Sequence, residues 1–357
     1  MSRQHACGAL VAGAVLVFCV LIAMPAAAQN TSRGAASKLT FEFEAGGGGE
    51  WERFATVGPY SNLSTNIPFP RTTAAQAERS GWSGVFDAHV LFRPRSVQPL
   101  NISAYRIDFL HSRGTADTTD AFLKQGVGTA FQIPHVNGSF LDGLSGADGG
   151  NISSSISQDR TSWRAKSSLV WERSTGQIAT AFRLGAGFAS LRQNETISIR
   201  ATDQIAPALV LINATTTGEL ATRAFGLVGG IDVRALIQPG LALLGGLEAN
   251  LDFARTNYDG RSTDNLGITG SSAITDSKSH IMSELRANGG FEWMPTPGLA
   301  FRLLGDAGWR SGVPRIIYPQ YGYPAGGFLS ITTDGPAHIG LENRWFYGAR
   351  AVAVLRF

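Results

Sequence analysis

Cysteine is almost absent from this chain. Its only two, Cys7 and Cys19, lie in the N-terminal leader. The processed chain would have none, which excludes a disulfide framework, a cysteine metal site and a thiol nucleophile. A cysteine-free chain also suits an oxidising periplasm. Charge is scarce too. Charged residues make up 16% of the chain, against roughly 25% in ordinary soluble domains. Loss of the leader, which carries Arg3 and no acid, removes one of 30 bases and none of 27 acids. The pI of about 9.0 therefore reflects a small excess rather than a basic patch. No run of Lys or Arg points to nucleic acid as a partner. Long apolar runs are missing after Ala28, where charges or turn residues interrupt each one. None reaches the roughly 20 residues of a spanning helix.

What is present fits a different structure. Glycine is abundant, with 43 residues among 357, while mean hydropathy is near zero. That combination suits apolar residues that alternate with polar ones. The leader begins with Arg3 and His5, continues as an apolar stretch over residues 6–24, and ends in Pro25-Ala26-Ala27-Ala28-Gln29. Small residues before the cut place cleavage after Ala28, making 1–28 a signal peptide. The alternative is an uncleaved membrane anchor, since the apolar run almost suffices to span a bilayer. Bulky Phe18 before Cys19 argues against a lipoprotein cysteine. Residues 29–37 would form a short periplasmic segment and 38–357 the folded domain.

From Lys38 onward the period is two. Leu241, Leu243, Leu247, Leu251 and Phe253 share one strand face, with Glu248, Asn250 and Asp252 on the other. Phe225, Leu227, Ile231 and Val233 repeat this against Asp232 and Arg234. Ile281, Leu285, Phe291 and Trp293 do so against Glu284, Arg286 and Glu292. Leu299, Phe301, Leu303 and Trp309 face away from Arg302, Asp306 and Arg310. Earlier strands set Trp82, Phe86 and Phe92 against Asp87 and His89, Trp163 and Trp171 against Arg164, Lys166 and Glu172, and Phe182 and Phe188 against Arg183. Leu39, Phe41 and Phe43 oppose Glu42 and Glu44. The stretch 100–110 is less clean and predicts a bulge. A chain that crosses lipid on such strands must close into a barrel, which leaves no backbone group unpaired.

Short links fall near 94–98, 174–176, 238–240 and 295–298, and long polar links at 46–80, 114–155, 194–220, 257–279 and 311–337. The alternation predicts periplasmic turns and long extracellular loops. The fold class is therefore all-β: an antiparallel transmembrane barrel of about ten strands, or twelve if 114–155 hides a hairpin. It belongs in the outer membrane of a Gram-negative cell. The last strand sets Trp345, Tyr347, Leu355 and terminal Phe357 against Arg350 and Arg356. A final strand ending in phenylalanine resembles the signal read by outer-membrane assembly machinery, so Phe357 is the candidate signal residue. Outer-membrane lipid and that machinery are the expected partners, with small solutes if the lumen is open.

Three stretches resemble the Legionella-type pore-forming major outer-membrane protein family. The first is 163–200, with Val170-Trp171-Glu172-Arg173 before a turn and Arg183-Leu184-Gly185-Ala186-Gly187-Phe188-Ala189 after it. The second is 224–234, from Ala224-Phe225-Gly226 to Asp232-Val233-Arg234, leading to Gly240-Leu241-Ala242. The third is 340–357. Together they cover about half the mature chain, and Trp171 stands where the family has aspartate. The resemblance implies a pore or surface protein and carries no catalytic residues.

The candidate lumen residues are Asp87, His89, Arg183, Asp232, Arg234, Glu248, Asp252, Glu284, Arg286, Glu292, Arg302, Asp306, Arg310 and Arg350. Their mixed charge fits either a weakly selective channel or a paired plug, because ten strands enclose little more than side chains. Of the histidines, His89 lies near Asp87 and His111 precedes Ser112, while His135, His280 and His338 fall in or beside loops. None sits in a Ser/His/Asp motif, so no enzyme and no cofactor are expected. The reading is a narrow small-solute pore or a structural surface protein, the alternatives being a ligand-binding or adhesion barrel that acts through its long loops, or a rim-active hydrolase. The run Gly46 to Gly49 lacks the Lys-Ser/Thr of a phosphate loop and reads as a flexible exit from the first strand. The aromatic stretch 316–328, with Tyr318, Tyr321 and Tyr323, reads as interface and turn residues, or as a ligand contact or a cover over the mouth.

Overall fold

Alternating side chains and tight turns build ten long strands. In the computed structural model these are β1 (Thr40–Val57), β2 (Ala77–Arg93), β3 (Ala104–Leu123), β4 (Gly150–Thr175), β5 (Ile178–Asp203), β6 (Val210–Gln238), β7 (Leu241–Asp264), β8 (Ser272–Thr296), β9 (Leu299–Ile317) and β10 (His338–Arg356). The structure describes residues 40–57, 61–64, 71–74, 77–94, 102–123, 129–137, 140–143, 150–203, 210–265, 271–319, 321–322, 332–333 and 335–357. The signal peptide and the 29–37 segment lie outside these. Each strand pairs antiparallel with its chain neighbour, and β1 pairs with β10, closing the barrel at ten strands. The seam is tied at its end by Phe41 and Phe357, each donating its backbone N–H to the other's carbonyl at 3.2 and 2.9 Å.

One end of the barrel carries tight turns, which Gly176 and Gly240 make possible at φ 60° and 83°. We call it the turn end and the opposite one the loop end. Three sequence expectations change. Much of the long links is strand: 194–203 and 210–220 belong to β5 and β6, and 257–279 holds the ends of β7 and β8. These extensions are polar on their outward face, so the apolar stripe that marks a strand is lost although the ladder continues. The 114–155 link does hide strands, Thr129–Pro134 and Phe140–Gly143, but they join Ser61–Ser64 and Arg71–Ala74 in a separate small sheet. They do not enter the barrel. The stretch 104–110 pairs in even register on both sides, without a bulge.

The glycine run is the third change. Gly46 to Gly49 lie inside β1, paired with both β2 and β10. A Cβ at Gly46 or Gly48 would collide with the backbone carbonyls of Ala351 or Ala349. The run permits close approach of β10 rather than an exit from the strand.

The barrel's outer surface is apolar over one band. Trp82, Phe182, Leu227, Leu247, Phe291, Leu303 and Trp345 all lie there, about half or more exposed. Their inward neighbours are charged and buried: Glu50, Asp87, Glu248, Glu284, Arg286 and Asp306. This is the reverse of a water-soluble barrel.

Candidate functional site

Alternation sends the charged residues of all ten strands into one narrow space. At the turn end, Glu292 on β8 is fully buried and accepts from Arg302 (2.6 Å), Arg234 (2.8 Å) and Arg356 (3.2 Å). Arg93 forks onto Glu172 at 3.0 and 2.7 Å. Above them His89 lies between carboxylates, with Nε2 2.7 Å from Glu44 and Nδ1 3.0 Å from Asp108. Arg106 approaches Asp108 at 2.6 Å and Asp232 at 3.6 Å. Arg183 bonds Asp232 and Glu248, and Lys166 reaches Glu248 from β4.

The middle of the lumen is tighter. Arg310 on β9 donates to Glu50 on β1 (2.8 Å) and to Glu284 on β8 (3.0 Å). Arg286 joins the same two acids at 3.0 and 3.2 Å. Both guanidinium groups lie over the ring of Phe346, on β10, at 4.1 Å for Arg310 and 4.7 Å for Arg286. Arg164 crosses from β4 to Asp252 on β7 (2.8 Å). Arg350 grips Asp306 with two bonds of 2.8 and 2.9 Å and reaches Asp87 at 2.7 Å. Next toward the loop end, Glu52 meets Arg160, Arg310 and Arg344.

Many of these contacts join strands that are not neighbours in the wall, so they cross the lumen. The arginines become less exposed along the same path. The side chains of Arg93 and Arg234 are 34% and 33% exposed at the turn end, against 13% for Arg310 and 8% for Glu284. A cavity of about 510 Å3 occupies the turn-end half, lined by Glu42, Arg93, Arg106, Glu172, Arg234 and Arg356 among others. The fourteen sequence-derived candidates thus all point inward, in contact with one another or with Glu42, Glu44, Glu50, Arg106, Asp108, Arg164 or Lys166. Glu50, Glu52, Arg160, Arg344 and Phe346 were missed. The first two lay in a stretch read as loop, yet Trp51 between them marks the continuing alternation.

The loop end holds a second grouping. His135 and Val136, on the connection between β3 and β4, reach over to the far wall. The Val136 N–H donates to Ser262 Oγ (3.1 Å), and the Val136 carbonyl accepts from Ala337 N–H (2.8 Å). Buried His135 has Nδ1 3.4 Å from Ser272 Oγ and Nε2 3.5 Å from Asp264. Burial pushes the His135 pKa down, and Asp264 opposes that shift. Ile316 and Tyr318 crowd Gly218 of β6 beside Tyr258, so the start of the aromatic stretch folds across the mouth. Burial, Glu195 and Asp259 push the Tyr258 phenol well above its usual range. Tyr323 lies outside the described residues. His111 and Ser112 project from opposite faces of β3, and Ser112 bonds Ser162 (2.7 Å). His280 lies within β8, and His338 begins β10 with Nδ1 3.1 Å from the Pro336 carbonyl. Among the described residues no cluster of His, Cys, Asp and Glu could hold a metal ion.

No protein-family model matches the chain, and no curated protein matches it. The Legionella-type family therefore has no support from either comparison. Solved structures similar to it include the outer-membrane protease OmpT from Escherichia coli, at 10% identity and TM-score 0.41, with 92% of this chain and all of that one covered. A major outer-membrane protein from Thermus thermophilus has 12% identity and TM-score 0.30, covering 90% of this chain and all of that one. The P. putida toluene transporter TodX has 10% identity and TM-score 0.23, with 90% of each chain covered. The fold is that of an outer-membrane β-barrel. At these identities the likeness is one of fold alone.

Proposed function

We propose that this chain is a sealed, non-conducting outer-membrane barrel whose work is done at its loop end, on the cell surface. The apolar outer band supports its place in lipid, with the turn end in the periplasm. The observation that carries the sealed reading is the middle of the lumen. There Arg286 and Arg310 both lie over the Phe346 ring, and both guanidinium groups share Glu50 and Glu284. A solute would have to break several buried ion pairs at once to pass. The barrel's partners in this reading are membrane lipid and the assembly machinery, reached through the final strand and Phe357. Planar-bilayer recording on heat-modifiable, folded protein tests it. No conductance steps are expected, and regular steps at neutral pH overturn the sealed reading in favour of a small-solute pore.

The Ser272–His135–Asp264 grouping favours a second reading, a hydrolase at the loop end. His135 would take the Ser272 proton through Nδ1 while Asp264 orients the ring. The contacts of 3.4 and 3.5 Å exceed the roughly 2.6–3.2 Å of a working relay, so this reading requires the mouth to tighten around substrate. Ester or peptide hydrolysis by the folded barrel that disappears in both Ser272→Ala and His135→Gln decides for it. Hydrolysis absent from the wild type decides against it.

A further inference from the structure

The outer wall near the loop end carries two arginines in an unusual place. Arg223 on β6 and Arg255 on β7 are direct cross-strand partners, and both are exposed. Ser190 flanks Arg223 from β5, and Ser279 flanks Arg255 from β8. Two residues nearer the turn end, the same four strands present Phe188, Phe225, Phe253 and Ile281 in one row. Phe225 and Phe253 are 60% and 66% exposed, among the most open apolar side chains on the barrel. The two arginines, Ser279 and the four apolar residues line a shallow outward groove of about 570 Å3. The row marks the upper edge of the apolar band, since the next outward positions are Arg192, Ala221, Asn257 and Ser277.

Like charges directly opposite on a sheet repel. On the same outer wall, nearby Arg192 is paired, meeting Glu219 at 2.7 Å. Among the described residues no carboxylate makes an ion pair with Arg223 or Arg255. Two guanidinium forks therefore stand side by side, with a hydroxyl at either flank of the row, where an anion would relieve the repulsion, and such forks match the oxygens of a phosphate. The apolar row directly beneath is where acyl chains of the same molecule would run.

We infer that Arg223 and Arg255, flanked in the row by Ser190 and Ser279, hold the phosphate of a phosphorylated lipid in the leaflet nearer the loop end. Its acyl chains lie on Phe188, Phe225, Phe253 and Ile281. The inference rests on the membrane placement proposed above and not on the sealed lumen. Failure of that placement would show separately, as protein that does not fold into bilayers.

Native mass spectrometry of the full chain, folded in detergent, tests it with three probes: lipid A, the same lipid stripped of phosphate, and inorganic phosphate. Wild-type protein is expected to retain lipid A at least ten-fold more tightly than the dephosphorylated form, and to keep no stable adduct of inorganic phosphate. The double variant R223Q/R255Q is expected to lose that preference, and Arg192→Gln to keep it. Equal retention of both lipids, an unchanged preference in the double variant, or inorganic phosphate held as tightly as lipid A overturns the inference. The comparison between the two lipids uses wild-type protein, so it decides even if the double variant does not fold.

Discussion

The barrel is turned inside out along its own length. In the band, outward positions are apolar and inward ones charged. Closer to the loop end, β5 puts Arg192, Asn194 and Thr196 outward, and turns Leu191, Ile197 and Ile199 inward and buried, with Gln193 and Glu195 among them. Leu220 on β6 and Ile156 on β4 are buried in the same upper interior. The change occurs within a single strand without breaking its hydrogen bonds, so it records a change of surroundings rather than of fold. Lipid on the outside requires polar groups to look inward, whereas water on the outside permits apolar side chains to turn inward as well. Strand length follows the same division. β6 has 29 residues and β2 only 17. At ~3.3 Å per residue and a tilt of ~40°, β6 extends roughly 70 Å along the axis, against a band of ~25 Å. The surplus on β4 to β8 is a wall standing in water.

The largest expected effect comes from breaking the charged half. Glu284→Ala leaves Arg164, Arg286 and Arg310 short of a carboxylate and should cost ~3–5 kcal/mol, read from urea unfolding in lipid vesicles. Leu220→Ala tests the upper core, where a buried leucine is worth ~2–5 kcal/mol. Hydrogen exchange should speed up at the loop end and leave the band protected. One substitution at two heights sharpens the boundary. Leu247→Arg in the band should cost ~2–4 kcal/mol, whereas Asn257→Arg above it should stay within ~0.5 kcal/mol. The smallest effect is a pH dependence. His135 is buried with its pKa lowered from 6.5, so the folded state favours neutral imidazole. The unfolded state binds the proton first, and the stability of the mouth should fall as pH drops below ~6.5. Limited proteolysis between β3 and β4 should accelerate at pH 5.5 relative to 7.5, and His135→Gln should remove the difference.

The banded half was legible residue by residue, because lipid outside and charge inside leave a two-residue rhythm. Leu241 to Phe253 shows it, and all fourteen inward candidates came from such stretches. The wall was not legible. Gln193, Asn194, Glu195 and Thr196 are all polar, so inward and outward positions look alike and the segment reads as loop. Glu50 and Glu52 were lost for a different reason: four glycines hide the rhythm, and only contact with β10 explains why side chains are absent there. The Ser272–His135–Asp264 grouping had no local signature, since Asp264 ends β7, Ser272 begins β8 and His135 comes from the distant connection between β3 and β4.

The pairing of β1 with β10 also sets an order of events. Glu42 lies opposite Arg356, so the first stave of the cylinder waits for the one made last of the ten. Every other seam joins neighbours in the chain and can zip as soon as both are made. Until the tenth stave arrives, an open ribbon with one greasy side and two bare edges must be kept from pairing with its copies. Completing this barrel is therefore a single long-range closure that comes after every local one, and the interval before it is when the chain most needs an escort.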